Sequence, residues 1–311
     1  MRKLPFALLL AASTLLLTGC EMDPTDWGNS DRFREDFSST HKLAPGGRVM
    51  LESFNGGVEI IGWEKDSVEV SGTKSASRED VMKEIRIDVV SEADSIRIRV
   101  IRPVEHNCNC GAKFVLKVPK KVILDSITTS NGGIRVESIT GNSRLKTSNG
   151  GIRVWGVDGN LEATTSNASI EVGQFKGAAD LRSSNGRIKA DGIRGAFDAR
   201  TSNASIDATV AELDPGRPLS LESSNGSITL TLDTWKSNDI KAHTSNSSVN
   251  VRLPDKVAAD LMLSTSNGSI TTDFEITTSQ FSKTRVVGKL NGGGPRLDLS
   301  TSNGNVRLMK K

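Results

Sequence analysis

The chain has 311 residues, with 40 Lys and Arg against 37 Asp and Glu and a net charge of +3. Charge of both signs spread along the chain excludes a nucleic-acid binder, which gathers Lys and Arg in excess on one face. The 29 Gly and 9 Pro, with abundant Ser, Thr, Asn and β-branched residues, point to many strands separated by turns and away from a helical protein.

At the N-terminus, Arg2 and Lys3 precede the apolar run LPFALLLAASTLLL and then LTGC, which ends at Cys20. An apolar run too short to span a bilayer, followed by small residues and a cysteine, predicts a lipoprotein signal over residues 1–19. Cleavage before Cys20 leaves its thiol carrying a diacylglycerol, so the predicted partner at this end is a membrane, reached through the lipid on the extracytoplasmic side of the cell envelope. Glu21, where an Asp would signal inner-membrane retention in a Gram-negative cell, favours the outer membrane. Without Arg2 and Lys3 the 40 basic residues become 38 against 37 acids, so the mature chain is nearly neutral. Residues 20–45 are polar without a sustained period and predict a tether.

Residues 46–126 are expected to form an N-terminal β-rich part of the fold. Its one helical-looking piece is SREDVMKEI at 77–85, with Ser77 as a cap and Asp80 three residues on. HNCNCG then brings together His106, Cys108 and Cys110. With Cys20 consumed by lipid, two cysteines remain in an exported chain, and a Cys108–Cys110 disulfide is the expected outcome. The alternative is three soft ligands for zinc or copper, in a metal or redox role.

From residue 127 to 311 the chain repeats. Asn131, Asn149, Asn167, Asn185 and Asn203 are spaced by 18; Asn225, Asn246 and Asn267 follow at 22, 21 and 21; Asn303 comes 36 later. Ser precedes each Asn, and Thr or Ser precedes that Ser. An apolar residue stands four before each Asn (Ile127, Leu145, Ala163 onward) and Ile or Val three after (Ile134, Ile152, Ile170 onward). Alternation on both sides of a corner means two strands per unit, each with one face inward. A worn copy, SFNGGVEI at 53–60, opens the series.

Asn-Gly between alternating runs also fits an antiparallel hairpin meander. Against it, Ala168, Ala204 and Ser247 occupy the position where a hairpin turn wants positive φ, and about twenty strands exceed an open sheet. The predicted fold is therefore an all-β, right-handed parallel β-solenoid with coils of 18–21 residues. Its corner asparagines should hydrogen-bond in a ladder, and Asn167→Leu should cost about 1 to 3 kcal/mol because the amides of the coils above and below lose a partner. Stacking also predicts an outward column of alternating charge, Arg153, Glu171, Lys189 and Asp207, beyond Arg135. A second bend is expected at Gly141, Gly159, Gly177 and Gly195.

The lead-in VLKVPKKVILDSITTSNGGI, the nine Ser-Asn corners and the closing VGKLNGGGPRLDLSTSNGNVRL resemble the bacterial putative adhesin domain, a family of β-strand-repeat proteins. The resemblance runs from about residue 46 to the C-terminus. It implies a parallel solenoid outside the cytoplasm and surface attachment, and carries over no catalytic residues.

The residues themselves predict no catalytic site and no cofactor. Glu137, Asp158, Glu162, Glu171, Asp180, Asp191 and Asp198 read as scattered, whereas a polysaccharide-cleaving β-helix needs converging carboxylates. The corner serines have no repeated His or Lys to activate them, and His243 reads as an isolated surface residue. The expected function is a non-enzymatic structural or binding module, with envelope polysaccharide or protein as candidate partners. The alternatives are a polysaccharide-acting enzyme, an envelope-stress protein, or a metal or redox protein using the His106, Cys108 and Cys110 loop.

Overall fold

The computed structural model describes residues 33–104 and 109–311. Within them one short helix, Glu79–Glu84, accompanies 27 strands in two sheets. A single coil shows how the sequence makes the fold. In the strand Leu161–Thr165, Leu161, Ala163 and Thr165 are buried while Glu162 faces out. The chain turns at Ser166 to Ser169 and runs back as Ile170–Gly173, burying Ile170 and Val172 and exposing Glu171 more. The next coil repeats the path one strand over, in parallel: Ala163 lies beside Leu181, and Ile170 beside Ile188. Strands running into the Asn corner form one sheet, here the leading sheet, and strands running out of it form the trailing sheet. Between the two lies one continuous apolar core.

That core is packed as a checkerboard. Along the leading sheet the inward pairs are Ser143 and Leu145, Leu161 and Ala163, Ala179 and Leu181, Phe197 and Ala199, so that large and small side chains alternate both along each strand and between neighbouring strands. Alternation lets layers interdigitate at interior density. Full burial of each Leu or Ile contributes about 1.5–3 kcal/mol before conformational entropy is subtracted.

Two ladders run along the Asn corner. The expected one is present: Asn167 donates its amide to the Oδ1 of Asn149 at 2.6 Å, Asn185 to Asn167 at 2.8 Å, and Asn203 to Asn185 at 2.7 Å. It continues through Asn225 and Asn246, and at the other end Asn149 donates to Asn131 and Asn131 to Asn55 of the worn copy. Beneath it lies a second ladder, of buried hydroxyls. Thr147 donates to the Gly132 carbonyl at 2.9 Å, Thr165 to that of Gly150 at 2.9 Å, and Thr244 to that of Gly226 at 2.8 Å. The same position is buried in every repeat. None of Ala168, Ala204 and Ser247 has positive φ, as a stacked corner requires and a hairpin would not.

The opposite bend begins with a left-handed residue at one repeated position, Ser138, Gly156, Gln174 and Gly192, with φ between 49° and 65°. It closes at Gly141, Gly159, Gly177 and Gly195, with φ from 125° to 145°. There a Cβ would fall 2.0 to 2.4 Å from a carbonyl oxygen of the preceding coil, so only glycine fits.

The ends depart from chain order. The coil of Arg296–Thr301 and Val306–Lys310, here the closing coil, does not stack beyond Asn267 as the 36-residue spacing suggests. It inserts between the coil of Ile240–Thr244 and Val249–Leu253 and the coil of Ala259–Thr265 and Ile270–Thr272. Asn303 accordingly donates to Asn246 and accepts from Asn267, both at 2.8 Å. The opening coil, Arg48–Glu52 and Val58–Trp63, is likewise enclosed, between Ser95–Ile101 with Cys110–Pro119 and the strands Ile123–Thr128 and Ile134–Glu137. Antiparallel strands cover the first end on both sheets, through Ser67–Ala76 with Phe33–Lys42 and through Arg86–Ser91, and the last end on the leading sheet alone, through Arg285–Leu290 and Thr277–Phe281. From Phe33 to Lys42, then, the expected tether is a strand with ten paired residues. Ser77 does not cap the helix; Arg78 occupies the cap position and pairs with Asp80.

The ladder amides are exposed and the hydroxyls buried. Water can replace an amide partner, so Asn167→Leu should cost about 0.5–1.5 kcal/mol, less than a buried ladder would imply. Thr165→Val strands the Gly150 carbonyl in the interior and should cost about 1–3 kcal/mol. Urea unfolding of the two variants tests the order; an equal or reversed order contradicts these roles.

Candidate functional site

On the outer face of the leading sheet, Arg144, Glu162, Asp180 and Asp198 are consecutive register partners. This corrects the reading of scattered acids: three carboxylates share one repeat position, and their spacing of 18 was visible in the sequence. They line an open groove of about 460 Å³ with Asp125, Arg144 and Arg217. Arginines partly neutralise the row: Arg144 pairs with Glu162 at 3.1 Å and reaches Asp125 at 3.8 Å, and Arg182 pairs with Asp180 at 2.6 Å. Asp198 is half-buried, and burial first, then the charge of Asp180, holds its carboxyl above the ordinary range against the pull of Arg200 and Arg217. All three acids project from one sheet face, whereas a glycosidase sets two carboxyls on either side of the scissile bond. Among the described residues no group of three His, Cys, Asp or Glu could hold a metal.

A second column on this face runs Arg182, Arg200, Glu222, His243, Ser300. His243 is half-buried and not isolated: its Nδ1 lies 2.9 Å from the Ser300 hydroxyl. The two residues are 57 apart, and only insertion of the closing coil makes them neighbours. Glu222 does not complete a relay. Its carboxylate accepts from Lys241 at 3.1 Å and lies 3.6 Å from Arg200, and Lys241 foremost holds its pKa down. An imidazole without an acid to orient it is a weak base for a serine.

Cys110 is buried at the start of its strand and is disulfide-bonded. A disulfide sulfur has no thiolate for a metal. Its carbonyl accepts the Asn55 amide at 2.9 Å, continuing the Asn ladder into the next coil. The other expected site residues, Cys20, His106 and Cys108, lie outside the described residues.

On the trailing sheet the charge column stands in the expected register. Arg153 and Glu171 pair at 3.3 Å, but Asp207 accepts from Arg187 at 2.8 Å in place of Lys189, and Arg135 turns to Glu137 at 2.7 Å. Beside this column stands a residue that sequence reasoning passed over: Trp155, half exposed on the outer face.

Because the folded state holds the Asp198 proton more tightly than the unfolded chain does, this group's contribution to stability is full at low pH and is lost as pH rises through its raised pKa. Asp198→Asn should therefore be more stable than the parent at neutral pH, with the difference shrinking on acidification. Thermal unfolding across a pH series checks this; a variant less stable at neutral pH contradicts it.

No curated protein matches this chain. Among solved structures, it is similar to a putative adhesin from Bacteroides fragilis NCTC 9343 at 12% identity, covering 89% of this chain and 97% of that one, with a TM-score of 0.44. A putative adhesin from Parabacteroides merdae ATCC 43184 is similar at 12% identity, with 89% and 96% covered and the same TM-score of 0.44. A putative cell adhesion protein from Clostridium sporogenes ATCC 15579 is similar at 10% identity, with 89% and 100% covered and a TM-score of 0.22. The family model of Toastrack DUF4097 matches residues 49–309, the span of the solenoid from its opening to its closing coil, and the chain belongs to that family.

Proposed function

We propose that this chain is a lipid-anchored, non-enzymatic binding module of the cell envelope, a solenoid that presents two long sheet faces to envelope polymers or proteins. The observation that carries this reading is where the chemistry-bearing groups are spent. Corner hydroxyls and amides bond to the next coil, and many of the outward charges pair with one another. What remains is a repeated polar surface, on which many weak contacts add through multivalency. Anchoring rests on the Cys20 signal pattern. The row of Glu162, Asp180 and Asp198 favours a second reading, an enzyme acting on envelope polysaccharide.

Two measurements test the proposal. Cys20→Ala should move the protein from the membrane fraction to the soluble fraction; an unchanged membrane fraction contradicts the anchor. The mature protein should release no reducing ends from peptidoglycan, pectin-like or alginate-like polymers, with or without calcium. Release that disappears in Asp180→Asn would establish the enzyme reading instead.

A further inference from the structure

We infer that the outer face of the trailing sheet carries a saccharide-binding site built on Trp155, which takes a pyranose ring of an uncharged polysaccharide. The inference rests on the reading of the chain as a binding module and names its ligand.

Trp155 ends the strand Ile152–Trp155 on its outward side and is 50% exposed. The other described tryptophans are committed to the fold. Trp63 donates its indole N–H to the Ser67 carbonyl and Trp235 to that of Asn238, each at 2.8 Å, and Lys65 and Lys117 lie over the Trp63 ring. Among the described residues Trp155 has no such hydrogen-bond partner and no cation over its ring. A large aromatic with a free N–H in water is the signature of a contact residue.

The register explains how the ring is held. Trp155 stands beside Gly173 of the next coil. A Cβ at Gly173 would fall 2.0 Å from Cζ3 and 2.3 Å from Cε3 of the indole, so the six-membered ring lies on the glycine. Gly173 does not have positive φ; the missing side chain provides room, not backbone freedom. The indole therefore lies down on the sheet, one face against the backbone and the other toward solvent. Covering a glycine accounts for the lower face alone.

What surrounds the upper face identifies the ligand. The ring opens into a groove of about 430 Å³, a size that suits small ligands. Its rim holds three cations, Arg135, Arg153 and Lys189, and three anions, Glu137, Glu171 and Asp191. With the signs balanced, a polyanion or a polycation would meet like charge on part of every approach. An uncharged polyol meets none, and its hydroxyls can donate to carboxylates while accepting from guanidinium and ammonium groups. Among the described residues Lys189 and Asp191 hold no ion pair, so both are available to such hydroxyls. A pyranose also has an apolar C–H face that stacks on an indole and an edge of hydroxyls that reaches the rim. Successive coils repeat at about 4.8 Å, a step close to that of a sugar unit, so a glycan lying along the solenoid axis would present one ring to each coil.

The test uses the mature protein, intrinsic tryptophan fluorescence and calorimetry. The probes are tetramers of β-1,4-linked glucose and of N-acetylglucosamine, polygalacturonate as the anionic control, and phosphatidylglycerol–phosphatidylethanolamine vesicles. An uncharged tetramer should shift the emission and polygalacturonate should not. Trp155→Ala should weaken binding by about tenfold or more with unchanged thermal unfolding, and Trp155→Phe should recover part of it. Gly173→Val should weaken binding with Trp155 still present, because the ring can no longer lie flat. If neither tetramer binds and Trp155→Ala only lowers the unfolding temperature, the indole is a glycine cover and the inference falls. Binding to the vesicles alone would identify a membrane contact and overturn it too. If envelope material binds Trp155→Ala as well as the parent, the inference falls while the binding-module reading stands.

Discussion

The structure depends on the hydrogen bond by which a buried corner hydroxyl meets the backbone carbonyl of the neighbouring coil, as Thr165 meets Gly150. A buried carbonyl without a partner is costly, so the bond is strongly selective for one register. A slip of one residue would also turn every inward side chain outward. The exposed Asn amides above add direction and a modest increment, since water competes for each of them. With register set at the corner, the outward residues fall into columns, and the columns are the surface on which this protein's function rests.

A stack of parallel coils has two open ends, and unpaired edges invite pairing with other chains. Here antiparallel strands cover both sheets at the first end and the leading sheet at the last, where Ile270–Thr272 remains the edge of the trailing sheet, and the opening and closing coils are each enclosed one layer in. The chain builds the coil of Ala259–Thr265 outward, turns back through the antiparallel strands, and returns through Asn291 to Pro295 to lay Arg296–Thr301 between that coil and its predecessor. Both sides of the closing coil are thereby paired. Contacts of long sequence separation, such as Asp233 with Lys311, tie the C-terminus into the body.

Much of this was legible in the sequence, because period and burial are the same fact in a solenoid. Ile127, Leu145 and Ala163 before the corner and Ile134, Ile152 and Ile170 after it are all core. The glycine bend at Gly141, Gly159 and Gly177 follows from the same spacing, with the clash distances adding the reason. The row of Glu162, Asp180 and Asp198 is equally readable from its spacing of 18, but only when the acids are aligned by repeat position. The insertion of the closing coil was not readable, since a spacing of 36 is the same whether a coil extends the stack or enters it. The neighbours His243 and Ser300 follow from that insertion and were hidden with it. Trp155 is not legible in the sequence, because its exposure depends on which residue the next coil places beside it.

One ladder runs through the whole fold in an order different from that of the chain, with Asn303 between Asn246 and Asn267. Engineered cysteines test it directly, because neighbouring parallel strands stand about 4.8 Å apart, within disulfide reach, and second neighbours at about twice that are outside it. Asn303→Cys should cross-link on mild oxidation with Asn246→Cys and, in a separate variant, with Asn267→Cys, while Asn246→Cys and Asn267→Cys should not cross-link with each other. A cross-link between 246 and 267, with none to 303, would contradict it.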